Sequence, residues 1–389
     1  MLNRTEENLY GCACYLDGFY SLFEQRSPTN VTLSSSLLPA TTTDKVLSWA
    51  VSFPTFPRKI RMKYDVYGIG NALVDVQAQV SEDVLGQMGF AKSVMTLVDN
   101  EQQRVVTQSL EGIPLNRCAG GSAANTIVAI ADFGGQVAFC GKVASDEMGD
   151  FFLRDMQKLG VTVGVAPAEQ GTTGTSTVLI TPDAQRTMLT NLGVATMLTE
   201  QDINEQIIRE SRYIYVEGYL LTNEATKAAA YHAMELAKKY DVKIAFTASD
   251  PFLVHSIRDE IWQLVEGPVD LFFCNEEEAK SLTGKQEVSE CADEIHQHVE
   301  NVAITLGPQG SLLMNDGEAI PIEGVPVEAV DTTGAGDTYA GGLLYGITNG
   351  KSWKEAGYLA SHAAARIVSQ LGARLDHKSF ATEVEELQN

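Results

Sequence analysis

Short runs of Val, Ile, Tyr and Phe alternate with helical segments over most of this chain, and this alternation constrains the fold more than any other feature. Six runs predict strands, at 64–69, 137–140, 213–216, 242–246, 269–273 and 302–306. Helical candidates lie between several of them, at 123–133, 147–159, 224–239 and 276–282. Strand and helix in alternation predict an α/β fold with a mostly parallel sheet covered on both faces.

Residues 331–337, with the sequence DTTGAGD, form the most informative motif. They lie between a segment that alternates like a strand, 319–330, and a segment that can bury one side of a helix, 338–347. The backbone N–H groups of Gly334, Ala335 and Gly336 can therefore face an anion at the positive end of a helix dipole. Asp337 would repel a resting phosphate, which favours a role as the base that takes a proton from an attacking hydroxyl. The alternative is a simple helix cap.

Three further motifs occur in register with this turn: GGSAAN at 120–125, GKVASDEMG at 141–149 and NEEE at 275–278. In this order and spacing, the motifs resemble the ribokinase-like (PfkB) family of sugar and nucleoside kinases, from about Lys63 to about Leu375. The resemblance implies a three-layer α/β/α kinase domain over 63–385. It also implies a small β lid, made from parts of 73–118 and 174–190, that closes over the acceptor.

The first strand ends in Gly68-Ile69-Gly70-Asn71, and Leu73 stands where a dinucleotide fold would require a third glycine. By the resemblance, Asn71 and Asp75 bind the acceptor, since a carboxylate can accept two hydrogen bonds from a vicinal diol. The alternative for Asp75 is a solvated loop residue.

A glycine pair precedes the next helix, and the resemblance makes it a hinge of the lid. The residues assigned to the acceptor there are Gly120, Gly121, Ser122 and Asn125. A plain glycine turn with Ser122 as N-cap is compatible with the same role.

Asn275 and Glu278 lie on one face of a helix, and the resemblance implies that they hold magnesium and its water shell near ATP. The alternative is a capping box. The nucleotide-side loop contributes Thr305, Gly307 and Gly310, for which a tight glycine turn is the competing interpretation.

Arg186 matches an arginine that reaches the transferring phosphate in adenosine kinases, although most exposed arginines are merely solvated. Asp331 and Thr333, with the loop 369–373, match residues that supply oxygens to a monovalent cation, potassium, in relatives. Because the chain has no Walker-type loop, the phosphates must be held by the turn at 334–337.

The segments 215–222 and 249–252 look closest to adenosine kinase, so adenosine is the first candidate acceptor and a ribose- or fructose-type sugar the second. Tyr219 or Phe252 could stack on a purine, or both could be core residues. A nucleotide-binding protein without turnover is the alternative of another class; the intact Asp337, Gly334 and Gly336 argue against it. Either a monomer or a homodimer is compatible with the sequence.

The chain carries 51 acidic and 28 basic side chains, a net charge of −23, which excludes nucleic acid and anionic membrane surfaces as expected partners. No apolar run reaches the roughly 20 residues that span a bilayer. The six cysteines show neither zinc-type pairs nor a disulfide pattern, so reduced thiols and a cytoplasmic location are expected.

Residues 1–62 differ in composition, with a Ser-, Thr- and Pro-rich stretch at 27–57, and are expected to be a largely disordered extension. Three explanations compete: a transit-like segment, which Glu6 and Glu7 oppose, a regulatory tail, or translation that begins at Met62. We favour the third, because the family-like core starts there.

Overall fold

The computed structural model describes residues 62–92, 95–183 and 185–375. The predicted N-terminal extension, apart from Met62, lies outside the described residues, as do residues 376–385 of the predicted kinase domain. No helix in the described part of the chain is long and apolar enough to cross a membrane.

Fourteen strands and twelve α-helices make up the described fold. The strands are β1 (Tyr64–Ile69), β2 (Leu73–Gln79), β3 (Met95–Leu97), β4 (Leu115–Gly120), β5 (Val137–Cys140), β6 (Thr162–Val163), β7 (Gly174–Ile180), β8 (Arg186–Asn191), β9 (Ser211–Glu217), β10 (Lys243–Thr247), β11 (Leu271–Asn275), β12 (Asn301–Thr305), β13 (Gly310–Asn315) and β14 (Glu318–Glu323). The helices are α1 (Glu82–Met88), α2 (Asn100–Ser109), α3 (Ser122–Asp132), α4 (Glu147–Lys158), α5 (Glu205–Arg209), α6 (Glu224–Lys239), α7 (Pro251–Ser256), α8 (Arg258–Glu266), α9 (Glu276–Thr283), α10 (Val288–His296), α11 (Ala335–Thr348) and α12 (Trp353–Val368).

Nine strands form the central sheet in the order β14-β13-β12-β11-β10-β9-β1-β5-β6. Neighbours from β12 to β6 pair in parallel, and only β13 and β14, at one edge, are antiparallel. The predicted mostly parallel sheet is confirmed, and each of the six predicted strands is present with its ends shifted by two residues at most.

Helices cover both faces of this sheet, because its strands present apolar side chains to both sides. In β11, Leu271 and Phe273 join the cluster under α3, α4, α11 and α12, whereas Phe272 and Cys274 join the cluster under α5 to α10. Phe272 stacks on Phe246 with ring centroids 6.1 Å apart. The result is the predicted three-layer α/β/α arrangement.

A second sheet of five strands, in the order β3-β8-β7-β2-β4, comes from residues 73–120 and 174–191, close to the segments predicted for the lid. Buried residues of α1 and α2, including Leu85 and Val106, pack on one face against Leu179 and Leu189. We refer to this sheet with α1 and α2 as the lid. Strand β4 runs directly through Gly120 and Gly121 into α3, so two glycines join the lid to this helix.

The strand expected at 319–330 is shorter than predicted, since β14 ends at Glu323 and residues 324–329 form no regular structure. A side chain at Gly324 would overlap the carbonyl of Pro308. Pro326 has no N–H to donate to a ladder. The alternation of apolar residues was therefore misleading beyond Glu323.

Candidate active site

The turn at 331–337 lies between β14 and α11, where Gly334 is the N-cap of α11. Gly334 has φ of 74°, and a Cβ atom there would lie 2.7 Å from Cβ of Ala373, so the local structure requires glycine. Gly336 is different, because a Cβ atom there would meet nothing within 4 Å. Glycine at 336 is therefore not required by packing among the described residues, and its smallness leaves an open approach to the helix N-terminus.

The free amides of this turn are fewer than predicted. Ala335 N–H donates to the carbonyl of Thr332 at 3.3 Å, so it closes the turn. The N–H groups of Gly334 and Gly336 make no hydrogen bond to any described residue. Of the three predicted amides, two thus remain for an anion at the positive end of α11.

Asp337, in the first turn of α11, is held by two donors from α3. Ser122 Oγ donates to Oδ1 at 2.7 Å, and Asn125 Nδ2 donates to Oδ2 at 3.1 Å. Burial raises the pKa of Asp337 to about 6, although the hydrogen bonds from Ser122 and Asn125 favour the ionised form. A carboxyl group with a pKa near neutrality can accept a proton from a hydroxyl and release it again.

A cavity of about 260 Å³ opens beside this carboxylate. Seven predicted residues line it together: Ser122, Asn275, Glu278, Thr305, Gly334, Gly336 and Asp337. The carboxyl ends of β11 and β12 therefore meet the N-terminus of α11 at one place, as parallel strands and a following helix should.

Asp75, on β2 of the lid, is 8% exposed and packs against Gly120 on β4. A Cβ atom at Gly120 would overlap the Asp75 carboxylate. Burial raises the pKa of Asp75 to about 7, while Arg374 lowers it and Asp337 raises it further. The interpretation of Asp75 as a solvated loop residue is wrong.

Asn71 makes a contact that the sequence did not reveal. Its backbone N and its Nδ2 both donate to Glu217 Oε1, at 2.8 and 2.6 Å. Glu217 Oε2 in turn accepts the Ala123 N–H at 2.8 Å. Burial raises the pKa of Glu217 to about 7. This carboxylate ties the ends of β1 and β9 to the start of α3. Its only sequence signal is an acidic residue at the end of an apolar strand.

Asn275 and Glu278 form a complete capping box. Glu278 N–H donates to Asn275 Oδ1 at 2.8 Å, and Asn275 N donates to Glu278 Oε2 at 2.8 Å. Glu278 is only 5% exposed and forms no ion pair with a described lysine or arginine, and burial raises its pKa to about 7. No cluster of three or more metal-ligating side chains occurs among the residues described. This oxygen-rich wall suits a magnesium ion that keeps most of its waters, but not a metal held entirely by protein.

The side chain of Arg186 reaches from the lid to the turn at 331–337. Its guanidinium lies 2.9 Å from Asp331 Oδ1 and donates to Thr332 Oγ1 at 3.2 Å. Asp331 also accepts the N–H groups of Thr333 and Gly372, at 2.7 and 2.9 Å. The carboxylate predicted to face a monovalent cation is therefore already paired with Arg186, whereas Thr333 Oγ1 is buried without a hydrogen-bond partner among the described residues.

The remaining predicted residues lie outside this cavity lining. Tyr219 is half-buried, with its hydroxyl donating to the Ser249 carbonyl at 3.3 Å, and Phe252 is 79% exposed, so Phe252 is not a core residue. Gly307 and Gly310 flank a short 3₁₀ turn after β12. A Cβ atom at Gly310 would overlap the carbonyl of Ile322, so the interpretation as a tight glycine turn fits that residue.

Comparison with known proteins identifies the group to which this arrangement belongs. The model of the pfkB family carbohydrate kinases matches residues 90–379. The chain is a pfkB family carbohydrate kinase. The family's kinases are phosphotransferases that act on hydroxyl groups of sugars or nucleosides and use ATP, and this chain is such a phosphotransferase.

Relatives of this pfkB kinase divide between two acceptor classes. The adenosine kinase from Sinorhizobium meliloti is 34% identical, with a TM-score of 0.78 over 83% of this chain and 99% of that chain. A probable sugar kinase from Rhizobium etli is 31% identical, with a TM-score of 0.78 over 84% of this chain and 99% of that one. A 5-dehydro-2-deoxygluconokinase from Listeria monocytogenes is 30% identical over 79% of this chain and 91% of the relative. The family is thus shown, and the acceptor is not decided by similarity alone.

Proposed function

We propose that this pfkB kinase transfers the γ-phosphoryl group of ATP to the primary 5′-hydroxyl of a nucleoside, with adenosine as the acceptor and AMP as the product. The observation that carries the proposal is the position of Asp337. It is a half-buried carboxylate with a pKa of about 6, and it lines one cavity with the open N-terminus of α11.

Each predicted group has a role in direct transfer. Asp75 orients the acceptor diol, with Gly120, Gly121 and Asn125 beside it, and Asp337 takes the proton of the attacking hydroxyl.

The N–H groups of Gly334 and Gly336 stabilise the charge of the transferring phosphoryl group. Arg186 adds positive charge from the lid, at the turn that holds those amides.

Magnesium fits the wall formed by Asn275 and Glu278, where it would neutralise phosphate charge that the acidic surroundings would otherwise repel. Thr305 lies on the same wall and serves the nucleotide. Potassium at Asp331 and Thr333 stays a prediction. The unpartnered Thr333 Oγ1 supports it, and the ion pair between Arg186 and Asp331 competes with it.

Adenosine is favoured over a sugar by the nucleoside kinase from Sinorhizobium meliloti, which is 34% identical over nearly its whole length. The exposed ring of Phe252 supplies an apolar face three residues after Ser249, which lines the cavity. The sugar kinase relatives make a pentose or hexose the second candidate.

The test is an ADP-release assay of the full chain with ATP, magnesium and potassium, across adenosine, inosine, guanosine, ribose, fructose and 5-dehydro-2-deoxygluconate. We expect turnover with adenosine at micromolar concentrations and none with the sugars at the same concentrations. Selective turnover of a sugar would replace the acceptor and keep the chemistry. Hydrolysis of ATP that no acceptor stimulates would contradict the proposal.

A further inference from the structure

Arg374 belongs to the loop after α12, and it reaches the acceptor side of the site although no motif singled it out. Its side chain is only 9% exposed. Nε donates to Asn125 Oδ1 at 3.2 Å, and Nη1 lies 3.4 Å from Asp155 Oδ2, on α4. The same Asp155 oxygen accepts the Ala119 N–H of the lid strand β4 at 3.1 Å. A buried guanidinium thus joins the loop to α3, α4 and the lid.

The contact with Asn125 has a directional consequence. A guanidinium carries only donors and an ionised carboxylate only accepts, so an amide between the two has one favourable orientation. With Oδ1 toward Arg374, Nδ2 faces Asp337, where it donates at 3.1 Å. The flipped amide would set a donor against Arg374 and an oxygen against the Asp337 carboxylate, and both contacts would be repulsive.

We propose that Arg374 is a positioning residue that fixes the amide of Asn125, so that this amide holds the catalytic carboxylate of Asp337 in place and ionised. The proposal rests on the assignment of Asp337 as the base. It adds a chain of contacts, Arg374 to Asn125 to Asp337, in which Arg374 acts through its neighbour.

Other charged and titratable groups around Asp337 either favour or oppose its ionisation. Asp75 on β2 and Glu217 on β9 are acidic neighbours. The negative charge of Asp337 raises the pKa of both, and also that of the Tyr215 and Tyr219 hydroxyls. Arg374 is the positive group that favours ionisation of both Asp337 and Asp75. Its loss would therefore act by charge as well as by the amide, and the test must separate the two.

A double-mutant cycle makes that separation. Arg374→Met, Asn125→Ala and the double variant are assayed for kcat, KM for the acceptor and the pH dependence of kcat/KM. The kcat values are compared at pH 8.5, where Asp337 is ionised with or without Arg374. If Arg374 acts through Asn125, each single change then lowers kcat about 10-fold, and the double variant is no worse than Asn125→Ala within about 2-fold. The acid limb of the profile moves to higher pH in Arg374→Met, because the ionised form of Asp337 has lost its support. Full multiplication of the two effects would mean that Arg374 acts by charge alone, and the proposal would be overturned.

Two further variants keep the test decisive. Arg154→Met removes an exposed arginine of α4, next to Asp155, and is expected to behave as the unmodified enzyme. If Arg374→Met does not fold, Arg374→Lys keeps the charge but has no planar fork to join Asn125 and Asp155. A lysine variant with unchanged kcat and an unchanged acid limb contradicts the proposal.

Asp337→Asn, assayed in parallel, distinguishes the two levels of failure. If the kcat of Asp337→Asn equals that of the unmodified enzyme, both the assignment of Asp337 as the base and the role of Arg374 are rejected. If Asp337→Asn is inactive while Arg374→Met matches the unmodified enzyme, the proposed function stands and only the role of Arg374 is rejected.

Discussion

The proposed acceptor side and the proposed phosphate side of the site, called here the acceptor side and the phosphate side, use glycine for different reasons. At Gly120 a side chain would overlap the Asp75 carboxylate, and at Gly121, with φ of 102°, it would overlap the carbonyl of Asn71. At Gly336 a side chain would meet nothing within 4 Å. The glycines of the acceptor side are needed by the folded protein itself. Gly336 has no such need, and the space in front of it is where the proposed function puts the phosphate groups.

The polar groups of the acceptor side are paired with one another, whereas those of the phosphate side are not. On the acceptor side, Asn71, Ala123 and Glu217 satisfy one another with three hydrogen bonds. On the phosphate side, the N–H groups of Gly334 and Gly336 find no partner among the described residues. One side is a complete internal network, and the other leaves two donors that the proposed function assigns to the nucleotide.

Asp337→Asn should give the largest effect. The amide keeps the shape of the side chain but cannot take the acceptor proton, so we expect kcat to fall by about 10²–10⁴ with nucleotide affinity nearly unchanged. Steady-state turnover and ATP titration measure the two quantities. Turnover within a few fold of the unmodified enzyme would show that the base lies elsewhere.

Glu217→Gln breaks the finished network. The Gln amide nitrogen cannot accept the N–H groups that Glu217 now accepts, so the free energy of unfolding at pH 8 should fall by about 1–3 kcal/mol. Chemical denaturation measures it. Glu224→Gln is the matched control, since that side chain is 97% exposed and should change stability by less than about 0.5 kcal/mol. Equal stability of the two variants would show that the network contributes nothing.

Gly120→Ala and Gly336→Ala test the contrast between the two sides directly. We expect Gly120→Ala to lower the free energy of unfolding by about 1–3 kcal/mol, because its methyl group overlaps Asp75. Gly336→Ala should fold as stably as the unmodified protein, yet lose about 10-fold in kcat/KM for ATP.

Thermal unfolding and ATP kinetics of both glycine variants give the answer. Gly86→Ala, in the exposed helix α1 where a Cβ atom also meets nothing, controls for the change itself. If Gly336→Ala matched Gly86→Ala in every respect, the open space would not be a phosphate site.

Stability should depend on pH in a direction set by the buried acids. Burial raises the pKa of Asp75, Glu217 and Glu278 to about 7 and that of Asp337 to about 6. Each folded pKa exceeds the unfolded one, so the folded state binds more protons between about pH 4 and pH 7 and loses stability as pH rises. We expect the ligand-free protein to melt at least about 2 °C higher at pH 5.5 than at pH 8.

Calorimetry at the two pH values tests this, and Asp75→Asn should reduce the difference. A melting temperature that is equal at both values, or higher at pH 8, would contradict the raised pKa values.

Sequence reasoning found what depends on local order. The alternation of strands and helices gave the three layers, and DTTGAGD gave a turn whose neighbours fall at one edge of the sheet. It missed Glu217, which bonds to a residue 146 positions away, and Arg374, which bonds to one 249 positions away. Such pairs are formed by the topology of the sheet and carry no local pattern. The hydrogen-bonded partners of Asn71 and Arg186 were hidden for the same reason.

The hydrogen bonds that Asp337 already accepts have a consequence for the hydrolysis of ATP when no acceptor is bound. Ser122 and Asn125 each donate to one oxygen, so about half of the acceptor positions of the carboxylate are already used and any water molecule must share the rest. A bound acceptor, held by several contacts at once, can compete for one of those oxygens where a single water cannot. ATP that is bound without an acceptor should therefore be hydrolysed slowly, so that little ATP is lost to water in the cell.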